Sequence, residues 1–229
     1  MRSKNRQLLP EPNDRYVQVP GRQGSVHFPR EFTDRHIDID CAFVEKSLPD
    51  LRARAREIAA WLHTTDRAIL SFDDETDKYY RGKLLLSVDF THLATMGELS
   101  LTFLCDPLAY GGEITKDFDW FVTTVENPGT YESPPIFKMT FTAADINIRV
   151  IGPDLSMLKV VHNFRVGDIL EINAATGAVL INGTRAMDKL DWQNSRFFSL
   201  KPGPNNISVA STVSTDSCTT KVSWIPRYL

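Results

Sequence analysis

One amphipathic helix set among alternating strands constrains this chain more than any other feature of its sequence. The helix is predicted over residues 47–63, with Ser47 as its N-cap and Asp50 near the positive end of its dipole. Its apolar residues recur at helical spacing: Leu48, Leu51, Ala55, Ile58 and Leu62. We expect this apolar stripe to pack on a sheet.

Most of the remaining pattern has the two-residue period of strands. In 36–43, Ile37, Ile39, Cys41 and Phe43 fall on one face, and His36, Asp38 and Asp40 fall on the other. Residues 99–105 alternate in the same way and stop at Asp106-Pro107, because proline cannot continue a central strand. Residues 78–90 are predicted as a strand pair, or as one strand interrupted at Gly82.

Gly111-Gly112 breaks the pattern, and we place a domain boundary there. Residues 1–111 are then an N-terminal β domain carrying the helix at 48–63, and residues 112–229 are a C-terminal β domain. The second part has short strands between turn signals such as Asn127-Pro-Gly129 and Asn182-Gly183. The predicted fold class is therefore mainly β with one helix, ending in a β-sandwich or jelly roll.

Composition excludes several classes of protein. The chain has 229 residues, of which 42% are hydrophobic, and its formal net charge of −3 argues against binding to nucleic acid. No apolar run is long enough to insert in a membrane. The three cysteines (Cys41, Cys105 and Cys218) match neither a disulfide framework nor a zinc pattern, so we expect small buried hydrophobes in a protein that folds in a cytoplasm.

Two acidic groups in the sequence are candidates for metal sites. The turn Asp73-Asp-Glu-Thr-Asp77 fails as a calcium loop, because Lys78 and Leu84 stand where glycine and glutamate are needed. His36, Asp38 and Asp40 share a strand face, but alternate residues stand about 6–7 Å apart and a site would need further ligands. A solvated turn and a polar strand face that contacts a partner subunit are the favoured interpretations.

The sequence offers no catalytic, cofactor-binding or metal-binding residues, and it leaves the binding residues unassigned. Gly82-Lys83 departs from the phosphate-binding loop pattern at both ends. The five histidines are scattered, and none has an obvious nucleophile paired to it: His27, His36, His63, His92 and His162. No cofactor is predicted.

Tryptophans offer a different kind of site. Trp120, Trp192 and Trp224 lie in or near the second domain, where exposed indole rings can stack on sugars. Filling the sandwich core is the favoured alternative.

Several segments together, in this order and spacing, resemble the distal tail protein (Dit) family of long-tailed bacteriophages and prophages. The segments, which span nearly the whole chain, are Pro20–Gly24, the strand 36–43, the helix, Leu70–Asp74 with Tyr79-Tyr80, 99–105 running into Asp106–Tyr110, Asn127–Thr130, Ser133–Ile136, Gly167–Ile172, Leu200–Gly203 with Asn205–Ile207, and Trp224–Leu229.

The resemblance implies a structural, non-catalytic protein of the virion. Its N-terminal domain would close into a homo-hexameric ring, and its galectin-like C-terminal sandwich would point outward. The ring would join the tail tube to the tail tip or baseplate and carry host-recognition parts, after assembly in the bacterial cytoplasm. His36, Asp38, Asp40 and the acidic turn are then candidate subunit contacts.

The resemblance also implies a late start. Family members usually carry a further stretch, with a first strand, ahead of the part that begins here at Arg2. We therefore expect a sheet edge left unpaired at that side.

Two other functions stay open beside the tail hub. The first is a carbohydrate-binding module that holds cell-surface saccharide through tryptophans. The second is an enzyme such as a wall hydrolase, which would need paired carboxylates or a metal site. The strands offer no convincing pair.

Overall fold

The computed structural model describes residues 2–85, 90–93, 96–118, 122–211 and 217–229. The chain divides into two compact units: Met1–Ala109 with Leu229, and Tyr110–Tyr228. None of the helices in the described ranges is long and apolar enough to cross a membrane.

The first unit combines strands with one α-helix among its described residues. Its elements are β1 (Arg2–Arg6), β2 (Pro12–Asn13), β3 (Tyr16–Gln18), β4 (Ser25–His27), β5 (Glu31–Phe32), β6 (Arg35–Val44), α1 (Leu48–Leu62), β7 (Ala68–Phe72), β8 (Glu75–Leu84), β9 (Phe90–Leu93) and β10 (Met96–Cys105).

The main sheet of this unit has the strand order β1-β6-β10-β8, with β7 on β8 and β9 on β10. The face assignment predicted for β6 is confirmed, since Ile37 and Ile39 are buried and His36 is exposed. β10 ends at Cys105, directly before Asp106-Pro107, as predicted. Arg2–Arg6, which was not predicted as a strand, pairs antiparallel with β6.

The predicted helix is confirmed, and Ser47 is its N-cap. The Ser47 hydroxyl accepts a hydrogen bond from Asp50 N at 3.3 Å and donates one to Asp50 Oδ2 at 2.6 Å, so helix start and first-turn carboxylate support each other. The apolar stripe is less well covered than predicted. Leu51 and Leu62 are buried, but Leu48 is 40% exposed. One side of the helix therefore stays open.

Gly82 does not interrupt its strand, contrary to one predicted alternative. β8 runs through it, and a Cβ atom at this position would stand 2.4 Å from Cys105 Sγ on β10. Glycine is needed here because the neighbouring strand carries a sulfur atom in the space of a side chain.

The described residues of the second unit form short strands and two 3₁₀ turns, at Pro153–Leu155 and Met187–Lys189. Its strands are β11 (Ala109–Gly111), β12 (Ile114–Phe118), β13 (Thr123–Asn127), β14 (Ile136–Phe141), β15 (Asp145–Ile151), β16 (Met157–Phe164), β17 (Ile169–Asn173), β18 (Ala178–Ile181), β19 (Thr184–Arg185), β20 (Gly203–Ser211), β21 (Cys218–Trp224) and β22 (Arg227–Tyr228).

Two antiparallel sheets, β12-β21-β14-β17-β18-β19 and β13-β20-β15-β16, enclose one core. Buried residues of both sheets join in a single cluster, including Phe137 and Ile172 from one sheet and Ile148 and Ile207 from the other. Phe141 and Phe164 stack at 4.0 Å between ring centroids. The second unit is thus a β-sandwich, as predicted.

The cysteines are free thiols. Cys105 and Cys218 are buried, whereas Cys41 is only half-buried, which corrects the expectation that the set would be buried. Burial raises the pKa of the Cys105 thiol to about 11.

Candidate assembly surfaces and buried anchors

The outward face of β6 brings His36, Asp38 and Asp40 together, as their spacing predicted. The two carboxylates are held by hydroxyls across the sheet: Thr102 Oγ1 donates to Asp38 Oδ1 and Ser100 Oγ donates to Asp40 Oδ1, each at 2.7 Å. These bonds fix the carboxylates on a polar sheet face rather than gathering them around one point.

The acidic turn forms the tip of the hairpin between β7 and β8. Lys78 Nζ lies 3.0 Å from Glu75 Oε1 and 3.4 Å from Asp77 Oδ2. The hydrogen bond that Lys78 donates to Glu75 is the main cause that raises the pKa of Lys78. Within the part of the chain that the structure describes, no three His, Cys, Asp or Glu side chains are grouped closely enough to hold a metal ion.

A serine and a histidine do approach each other on β4. Ser25 Oγ lies 3.4 Å from His27 Nε2, and the imidazole also contacts the Tyr16 ring. Both side chains stand on one face of a short exposed hairpin, so their closeness follows from the two-residue period of the strand. The contact does not by itself make a catalytic pair.

Arg67 ties together three strand ends in the first unit. It lies just before β7, and its guanidinium pairs with Asp34, before β6, at 2.8 Å and with Asp106, after β10. The carboxylate of the Asp106–Tyr110 segment is therefore a structural anchor.

Asn127 and Ser133 are buried polar anchors of the second unit. Asn127 Nδ2 donates to the carbonyls of Tyr131 and Leu200, and its Oδ1 accepts from Gly129 N. A Cβ on Gly129 would stand 2.5 Å from Arg227 O, so only glycine fits. The segments 127–130 and 133–136 are part of the family resemblance, and their buried polar side chains hold loops in place.

Asn205 and Asp145 are anchors of the same kind. Asn205 accepts from Lys201 N and donates to the carbonyls of Lys201 and Gly203. Asp145, 2% exposed, accepts from the backbone of residues 146 and 147 and from the hydroxyls of Ser211 and Ser217. Sequence reasoning missed Asp145 because nothing in an alternating strand tells a buried carboxylate from an exposed one.

The tryptophans separate into different roles. Trp224 is 3% exposed and belongs to the sandwich core, whereas Trp192 is 61% exposed. Trp120 lies outside the described residues. Trp61, which the sequence reasoning did not single out, is 69% exposed on α1.

The residues directly after Trp192 line an open polar groove. It has a volume of about 720 Å³, and residues 193–199 line it together with the turn at Pro153–Leu155. Asp154 and Leu155 both have left-handed φ angles, 60° and 58°, and Asp154 pairs with Lys201 at 2.5 Å. Holding two such residues consecutively costs free energy, so surrounding contacts define this turn.

Known proteins match both parts of the chain. The phage tail protein RIFT-related domain matches residues 1–105, and the C-terminal domain of the siphovirus-type tail component matches residues 128–228. The distal tail protein of Bacillus phage SPP1 is 28% identical over 203 residues, which cover 86% of this chain and 80% of that protein.

A solved structure shares this fold. The crystal structure of SPP1 Dit, described as a paradigm of the hub adsorption apparatus in phages that infect Gram-positive bacteria, superposes with a TM-score of 0.82. This superposition covers 99% of this chain and 93% of that one, at 20% identity. The phage P2 baseplate in its activated conformation with calcium gives a TM-score of 0.45 at 10% identity.

The strand-and-helix first unit, the sandwich with its buried loop anchors, and the matches to both halves agree. The chain belongs to the distal tail protein (Dit) family and is a structural component of the phage tail.

Proposed function

We propose that six copies of this chain form a ring that acts as the distal tail hub. The ring would join the tail tube to the tail tip or baseplate and carry the host-recognition apparatus. The observation that carries this proposal is the match to SPP1 Dit, which covers 99% of the chain in fold and 86% of it in sequence.

The same proposal assigns the chain no catalytic role. Three buried polar side chains, Asp145, Asn127 and Asn205, each form several hydrogen bonds that hold loops in place. Groups engaged in this way stabilise a rigid part and are not available to a substrate.

The mass of the purified chain in solution tests the ring. One chain is 25.9 kDa, so six copies give about 155 kDa by light scattering after size exclusion. That mass, together with ring-shaped particles in electron micrographs, is the expected result. A mass of 25.9 kDa at every concentration contradicts a self-assembling ring.

A second function, saccharide binding at the host surface, has one observation in its favour. Trp192 keeps an exposed indole ring and directly precedes the residues that line the groove of about 720 Å³. Stacking of a sugar ring on an indole face needs this exposure.

Trp192→Ala tests this second function against polysaccharide prepared from host cell walls. Saccharide binding predicts loss of retention with an unchanged thermal unfolding curve. Trp61→Ala is the matched control, since Trp61 is equally exposed in the other unit. Equal retention by the wild type and both variants contradicts a tryptophan-dependent saccharide site.

A further inference from the structure

The side of α1 that the sheet leaves open is a groove. Its apolar lining consists of Ala55, Ile58, Ala59, Leu62, Leu84 and Leu99, and its volume is about 360 Å³. Ala55 and Ile58 are only half-buried, although they belong to the apolar stripe. The groove thus leaves part of the apolar stripe of α1 uncovered within the first unit.

Two arginines lie on the side of α1 that carries the groove-lining Ala55 and Ala59. Arg52, Ala55, Arg56 and Ala59 have the spacing i, i+3, i+4, i+7, which places them on one side of the helix. Both arginines are exposed and make no ion pair among the described residues, whereas their neighbour Arg54 pairs with Glu57 at 2.9 Å. The groove therefore combines an apolar floor with a positively charged rim.

The hairpin of β7 and β8 carries the complementary features. Its tip exposes Asp73 and Asp74, and Asp77 follows on β8. On β7, Ile69 is 71% exposed, on the opposite strand face from Leu70 and Phe72, which are partly buried. The hairpin thus presents the exposed apolar side chain of Ile69 on one strand face and negative charge at its tip.

The spacings on the two surfaces also agree. From Ile69 to Phe72, the last residue of β7, the strand advances roughly 10 Å, and Asp73 lies in the turn directly beyond it. From the midpoint between Arg52 and Arg56 to Leu62 the helix advances about 12 Å. With Ile69 over the apolar floor, the aspartates of the hairpin tip therefore fall at the arginine end of the groove.

We propose that the groove beside α1 receives the β7–β8 hairpin of a second copy of this chain. The proposal rests on the ring proposed above and names its contact. Because the two surfaces differ, the contact is head-to-tail, the type of interface that closes into rings. Arginine–carboxylate pairs at its rim set the register, and Ile69 fills the apolar floor.

Charge reversal on each side tests the contact. The helix variant is Arg52→Glu with Arg56→Glu, and the hairpin variant is Asp73→Arg with Asp74→Arg. Each variant alone sets like charges against each other, so we expect association weakened by at least about a hundredfold and masses below that of the ring. Asp117→Arg with Glu126→Arg, which adds the same charge as the hairpin variant but on the second unit, is the matched control for that variant and keeps the ring.

The decisive sample is an equimolar mixture of the two reversed variants. In a head-to-tail ring with an even number of subunits, the two chains alternate and every contact again joins opposite charges. We expect the mixture to recover the ring mass of about 155 kDa, six times the 25.9 kDa of one chain. Unchanged circular dichroism and thermal unfolding of each variant verify that it folds.

The possible failures are distinct. A hexameric wild type whose two reversed variants also remain hexameric overturns this contact and leaves the ring intact. Reversed variants that dissociate but do not reassemble when mixed overturn the pairing of helix with hairpin. A monomeric wild type overturns both the ring and its contact.

Discussion

The carboxylate of Asp145 accepts four hydrogen bonds although the residue is only 2% exposed. At the residue scale, the buried polar side chains of the sandwich form hydrogen bonds with loops and strand ends. Each such side chain satisfies donors that would otherwise be buried without a partner. Individual substitutions at these positions therefore act on stability.

Replacing Asp145 with alanine leaves the hydroxyls of Ser211 and Ser217 and two backbone amides without their acceptor. We expect the free energy of unfolding, measured by chemical denaturation, to fall by about 3 kcal/mol. Asp117→Ala is the control, because that carboxylate is exposed and forms an ion pair with Lys221, and it should cost less than about 1 kcal/mol. Equal losses would mean that the buried bonds contribute little.

Cys105 makes stability depend on pH in the alkaline range. Burial raises its pKa from 9.0 to about 11, so the folded protein keeps a proton that the unfolded chain loses. The resulting stabilisation is complete below pH 9 and disappears as the pH rises through 11. We expect the free energy of unfolding to decline less steeply from pH 8.5 to 11 in Cys105→Ala than in the wild type. Parallel profiles would contradict this prediction.

At the scale of elements, the approach of β8 to β10 depends on the absence of one side chain. Gly82 stands where a Cβ would meet Cys105 Sγ at 2.4 Å and Leu104 O at 3.2 Å. The sulfur lies in the core, so neither strand can withdraw without opening a gap. This pair of residues is a defined point of contact between two strands.

Gly82→Ala should destabilise the protein by about 2 kcal/mol because it overpacks this contact. Cys105→Ala removes the sulfur, so the double variant should be more stable than the sum of the two single losses predicts. Chemical denaturation of all four proteins measures the coupling energy. Strict additivity would show that the sulfur is not what excludes the methyl group.

For helices and strands, the sequence predicted which residues share a face but not what covers that face. The spacing of Leu51 and Leu62 predicted the helix, and the alternation around Ile37 predicted β6, because periodicity reports which residues share a face. Periodicity does not report what covers a face. The open side beside Ala55, the exposure of Trp192 and the burial of Trp224 depend on neighbours distant in sequence, so only the structure assigned them.

At the scale of the whole molecule, the proposed ring should respond to salt. Arginine and aspartate side chains at a solvent-accessible rim attract each other less as the ionic strength rises, since the screening length falls from about 10 Å at 0.1 M to about 3 Å at 1 M. At a fixed low protein concentration, we expect the fraction of ring in light scattering to decrease between 0.1 and 1 M sodium chloride. A fraction that increases with salt would indicate an apolar contact alone.

Asp145 has a consequence for engineering. Its carboxylate accepts from Ser211 on β20 and, at 2.5 Å, from Ser217 next to β21, so one side chain holds the chain on both sides of residues 212–216. This carboxylate therefore links the end of β20 to the residue before β21. A peptide tag or a small recognition domain spliced between Ser211 and Ser217 would inherit two secured ends, which makes this connection a point at which a tail can be given a new cargo.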